Sequence, residues 1–138
     1  MASYRLVRAA EDQIDDILLK SAKAFGIEVA GRYSLMIRTA LDAIGDDPGL
    51  LGSIEIPRLP GIRAYPTRLS RMRVEPSRRI GAPRHTVIYR LGSDGVSEVF
   101  GLVHDRMVLS REARRLVRNQ KLPDVSLSQS AQSGGRRS

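Results

Sequence analysis

Arg84-His85-Thr86-Val87-Ile88-Tyr89-Arg90-Leu91, then Gly92-Ser93-Asp94-Gly95, then Val96-Ser97-Glu98-Val99-Phe100-Gly101-Leu102-Val103-His104: the reading of this stretch decides the fold. Its first part alternates, with Val87, Tyr89 and Leu91 on one face and Thr86, Ile88 and Arg90 on the other, which is the period of a strand. Residues 92–95 hold two glycines and an aspartate, the chemistry of a four-residue hairpin turn. The last part is apolar on both faces around Val99, Phe100, Leu102 and Val103. A strand of that kind belongs in the middle of a sheet or beneath helices.

Towards the N-terminus the period changes from two to 3.6. Ile14, Ile17, Leu18 and Phe25 form one stripe of a first helix, which follows the short strand Tyr4-Arg5-Leu6-Val7-Arg8 and opens on Ala9-Ala10-Glu11-Asp12. Gly26 stops that helix, and a second runs from about Ile27 to Ile44 with Tyr33, Met36, Ile37, Ala40, Leu41 and Ile44 inward. Two helices joined so tightly predict an antiparallel hairpin. Ile62 to Leu69 reads as an edge strand, bulged or interrupted at Pro66, which cannot donate to a ladder. Residues 70–83 read as a basic, irregular excursion. A basic helix starts near Leu109 or Ser110, docked by Leu116 and Val117.

The resulting order is β-α-α-β-β-β-α: one α+β domain over residues 1–121, a helix hairpin packed on a small antiparallel sheet. Residues 122–138, rich in Ser, Gln and Gly, are expected to form a disordered tail.

Composition narrows the function. Residues 1–55 carry six basic and nine acidic side chains, and residues 56–121 carry fifteen and five. The basic character therefore belongs to the second half of the fold and favours nucleic acid or an acidic protein partner. Disulfides and thiolate chemistry are excluded by the lack of cysteine, and zinc would have only two histidines and carboxylates. No metal and no cofactor are expected. The chain has no run of about 18 apolar residues and no secretory-type N-terminus, so a cytoplasmic protein without a membrane span is expected. No Walker-type loop, GxSxG or HExxH occurs, and with few aromatic residues base stacking is a poor prospect.

Three segments, in this order, resemble the RelE/ParE toxin superfamily, and its ParE type most. They are Leu59-Pro60-Gly61-Ile62-Arg63, then Pro83-Arg84-His85-Thr86-Val87-Ile88-Tyr89-Arg90, and then Asp94-Gly95-Val96 leading through Phe100-Gly101-Leu102-Val103-His104-Asp105-Arg106-Met107 to Leu109. The likeness covers about residues 4–116. It implies the toxin of a toxin–antitoxin pair, bound in a hetero-oligomer by a cognate antitoxin with a ribbon-helix-helix DNA-binding end. ParE members inhibit DNA gyrase by binding, without catalysis, whereas RelE members cleave messenger RNA in the ribosomal A site. A third possibility is a module that regulates its own operon together with its partner.

The two main readings ask different things of the residues. An RNase needs proton transfer and charge stabilisation, for which Arg84, Arg90 and His104 are the candidates. RelE-like sites commonly use a tyrosine near the C-terminal end, but here the last tyrosine is Tyr89. Gly101 also stands where relatives often carry arginine. A binding inhibitor would present Arg63, Arg71, Arg73, Arg78, Arg79, Arg84, His104 and Arg106 to its target, since arginine grips carboxylate or phosphate bidentately. The competing explanation for each arginine is a solvated surface charge, for His104 a residue that fixes the strand-to-helix corner by bonding to backbone, and for His85 a strand-start residue flanked by basic groups that depress its pKa. Leu35, Leu50 and Leu51 are the candidates for antitoxin docking.

Overall fold

The computed structural model describes residues 3–79 and 84–126. Its elements are β1 (Tyr4–Leu6), α1 (Arg8–Phe25), α2 (Ile27–Asp46), β2 (Ile54–Glu55), β3 (Ile62–Pro66), β4 (His85–Leu91), β5 (Ser97–His104) and α3 (Leu109–Ser126). Two 3-10 helices, Thr67–Arg73 and Pro76–Arg78, occupy part of the excursion between β3 and β4. The α+β class and the helix hairpin are as the sequence predicts. Gly26 alone joins α1 to α2, with φ +98°, a conformation that side-chain-bearing residues rarely adopt.

The sheet corrects the expected pattern in two ways. It has five strands in the order β1-β5-β4-β3-β2, because residues 54–55 pair with Ala64 and Arg63 as an extra short strand. β3 is therefore not the edge, although Pro66 lies past the point where β2 stops. The sheet is also mixed, since β1 runs parallel to β5 while the other pairs are antiparallel. The short turn between β4 and β5 enforces an antiparallel pair, whereas β1 and β5 are separated by most of the chain and free of that constraint.

Both faces of the sheet are covered. On one, Met36, Ile37, Ala40 and Ile44 of α2 pack with Tyr65, Val87, Tyr89, Val99 and Leu102. On the other, Ala113 and Val117 of α3 pack with Ile62, Ala64, Ile88, Phe100 and Val103. This two-sided burial is why β5 is apolar at nearly every position. The inward stripe of α2 is buried throughout, including Tyr33. Ile14, Ile17 and Leu18 pack against the same core. Phe25 does not: it is 72% exposed, a departure from the expected stripe, because it ends α1 and borders an open groove instead of the core.

α3 continues through Pro123 to Ser126, past the boundary expected at residue 121. The tail from residue 127 onward lies outside the described residues, as does Pro83 of the second resembling segment. No helix among the described residues is long and apolar enough to cross a membrane.

Candidate functional site

β4 and β5 pair residue for residue from Leu91↔Ser97 to Tyr89↔Val99, and then the register slips. Ile88 pairs with Gly101, so β5 has one extra residue at this point, a β-bulge. The consequence reaches the end of the strand. Val99 faces the helix hairpin, and strict alternation would place Gly101 and Val103 on that face too. After the bulge Leu102 faces the hairpin and Val103 faces α3, and this phase carries His104 to the hairpin face, paired with His85.

Gln13 of α1 holds the bulge. Its Nε2 donates to the Leu102 carbonyl at 2.6 Å, and its Oε1 accepts from the Leu102 N–H at 2.7 Å. β1 ends at Leu6, and Val7 makes the last backbone contact, to the Val99 carbonyl. The amide side chain thus takes over the pairing that a longer β1 would provide. A Cβ on Gly101 would lie 2.6 Å from Gln13 Oε1, which explains why this position carries no side chain.

The two imidazoles meet edge to face with ring centroids 5.1 Å apart, and Tyr33 of α2 lies against His85 at 5.6 Å. The Tyr33 hydroxyl accepts from the Arg84 N–H at 3.2 Å and is hydrogen-bonded to His85 Nδ1. A phenol O–H is a better donor than an imidazole N–H, and an imidazole nitrogen a better acceptor than a phenol oxygen, so we assign the tyrosine proton to the bond with Nδ1, leaving His85 with its hydrogen on Nε2. Burial above all, and then nearby His104, push the His85 pKa from 6.5 down to about 4, against the opposing charge of Asp105. Burial likewise pushes the Tyr33 hydroxyl up. His104 Nδ1 accepts from the Arg106 N–H at 3.1 Å, so its hydrogen, too, sits on Nε2.

These residues floor a groove of about 740 Å³ between the hairpin end and the end of the sheet. Ile17, Ala24, Phe25 and Val29 form an apolar wall, while Arg84 and Arg106 stand at the strand ends. Lys20 also lines it, paired with Asp16 at 3.0 Å. Neither Arg84 nor Arg106 has an ion-pair partner among the described residues.

The remaining arginines are dispersed. Arg90 does not reach His104: it faces α3, where it binds Glu98 at 2.6 and 3.0 Å and lies over the Phe100 ring. Arg63 turns back to Ser53, with its Nε buried and unpartnered. Arg79 bonds the Val74 carbonyl within its own loop. Arg71 is half-buried, and Arg73 and Arg78 are exposed in the excursion. Of the three leucines, Leu50 is core at 5% exposure and Leu35 packs against that core, which leaves Leu51 as the one open to a partner.

Sequence reasoning missed Tyr33, Gln13 and the part played by His85. Tyr33 falls on the buried stripe, and only its hydroxyl end reaches the groove. Gln13 was visible in principle as a polar residue on the stripe of Ala10, Ile14 and Ile17. No group of three or more metal-ligating side chains occurs among the described residues.

No protein-family model matches the sequence, and no curated protein matches it.

Proposed function

We propose that the chain is the ParE-type toxin of a toxin–antitoxin pair, cytoplasmic, held by a cognate antitoxin of the ribbon-helix-helix kind, and that it inhibits DNA gyrase by binding. The resemblance of the three ordered segments supports the pair. Binding in preference to catalysis is supported by the hydrogen bonds of the imidazoles. An imidazole acting as general base needs a free ring lone pair. In the assigned tautomers the Nδ1 lone pairs of His85 and His104 are both engaged and the Nε2 atoms carry hydrogen, so the two imidazoles face the groove as donors. Arg90, needed for the nuclease arrangement with Arg84 and His104, is tied to Glu98 on the other face.

The nuclease reading keeps one supporting observation, the gathering of Tyr33, His85, His104, Arg84 and Arg106 around one groove. A pair of assays separates the two. The purified chain is expected to inhibit supercoiling by gyrase and to leave messenger RNA intact in a translation extract. Codon-positioned cleavage with unaffected supercoiling would establish the nuclease instead. Expression without the partner is expected to arrest growth, and healthy cells would remove both toxin readings.

A further inference from the structure

We propose that the groove at Phe25, Tyr33, His85 and His104 is a docking site for an extended acidic peptide segment of a partner protein, with a carboxylate on the imidazoles and an apolar side chain on the helix wall. The inference rests on reading the chain as a binder, but not on gyrase being what it binds.

Four observations specify the occupant. First, the Nε2–H groups of His85 and His104 have no hydrogen-bond partner among the described residues, and their Nδ1 atoms are both engaged. Two donors from one floor call for an acceptor, and a carboxylate oxygen pair answers that need. Second, Arg84 and Arg106 flank the floor without ion-pair partners among the described residues, so the acceptor is favoured as an anion. The acids nearby are Asp16, held by Lys20, and Asp105, which is exposed beside His104. Third, the wall of Ile17, Ala24, Phe25 and Val29 is apolar, and Phe25 and neighbouring Ile27 are 72% and 84% exposed. A large apolar patch rimmed by cations marks a binding surface. Fourth, the walls select among anions. A bare phosphodiester would use the cations and leave the aliphatic wall wet, whereas a peptide alternating acidic and apolar residues fills both.

The chain has only two histidines, and both lie on the groove floor, so their imidazole resonances report the site alone. The probe is a capped Leu-Glu-Phe-Glu-Leu peptide titrated into the full chain and followed by imidazole nitrogen and carbon shifts. Both imidazoles are expected to move and to saturate. Phe25→Ser and Arg106→Ala, both at exposed positions, should each weaken binding about tenfold, the effect of losing one apolar anchor or one charge-assisted bond. Three results overturn the proposal: no imidazole shift, equal binding of the peptide with Gln in place of Glu, or saturation by a short single-stranded oligonucleotide but not by the peptide. Each holds whatever the supercoiling assay reads, so loss of the groove and loss of gyrase as target are separable.

Discussion

The side-chain amide of Gln13 pairs with both backbone groups of Leu102, 89 residues away, and so fixes the bulge that turns His104 towards His85. The bond pair is partly buried, and truncation would strand an N–H and a carbonyl together. Gln13→Ala is expected to lose about 2 kcal/mol of stability by urea denaturation and to shift the His104 imidazole resonances. Gln13→Glu is the sharper test. Its carboxylate keeps an acceptor for the Leu102 N–H but opposes the carbonyl, whereas the protonated acid can donate to it. The stability deficit of Gln13→Glu should therefore shrink as pH falls through the introduced carboxyl pKa. A deficit independent of pH would mean that the carbonyl bond contributes nothing.

How much of this was legible follows from the same residues. The helix hairpin and the α2 stripe could be read because a one-sided helix must repeat its apolar residues every three or four positions, and Tyr33 to Ile44 do so. The site could not, because alternation along β5 leads from Val99 to Val103 and leaves His104 on the wrong face. A single bulge reverses that, and its only trace in the sequence is Gly101 inside an apolar strand, a weak signal for a bulge. The two-residue β2 is too short for any period to register. Phe25 obeys the helical period and is still exposed, since periodicity says which way a side chain points but not whether a neighbour extends that far. Charge alone placed the arginines correctly on the second half of the chain but did not say which were bound internally. Arg90 and Arg63 are held by Glu98 and Ser53, partners known only from the register.

Gly101→Ala should destabilise the fold by about 1–3 kcal/mol, because the new methyl would meet Gln13 Oε1 at 2.6 Å and the Leu116 δ carbons at 3.1 and 3.2 Å. The cost should be shared with Gln13. In the double variant with Gln13→Ala the shortest of these contacts is removed, and the combined loss is expected to fall short of the sum of the single losses. Simple additivity in a double-mutant cycle would show that Gln13 is not what keeps position 101 bare.

Glu98 of β5 ties together the two strands that flank it, accepting from Arg90 of β4 at 2.6 Å and from Arg5 of β1 at 3.0 Å, while Arg5 also binds Asp94. Burial pushes its carboxyl upward, but the hydrogen bonds and charges of Arg90 and Arg5 prevail and leave its pKa below the usual carboxylate value. The stability it contributes is thus present at neutral pH and lost as pH falls through that lowered value. Glu98→Gln should cost about 1–2 kcal/mol at pH 7, discounted for partial exposure, and progressively less in acid. If Arg90 were instead a target-binding residue, Glu98→Gln would free it and raise affinity for the target proposed above; the expected result is no gain.

His85 gives the fold a second pH dependence, with its own window. With a pKa of about 4 in the folded protein and 6.5 when unfolded, it is neutral in both states above pH 6.5. Between those values the unfolded chain takes up a proton that the folded chain refuses, so stability falls as the solution is acidified and the contribution is fully lost below about pH 4. The full shift corresponds to about 3 kcal/mol, and the imidazole's partial exposure to the groove reduces the expected loss to about 1–2 kcal/mol. Around the ring stand Tyr33, His104, Arg84 and Asp105, with Arg106 and the Lys20–Asp16 pair farther along the groove. His85→Gln retains an acceptor for the Tyr33 hydroxyl but cannot titrate in this range. Denaturation curves from pH 7 to pH 4 should therefore be steeper for the parent chain than for the variant. Parallel curves would mean that the buried imidazole takes its proton without disturbing Tyr33, and the assignment of Nδ1 as an acceptor would fall with the prediction.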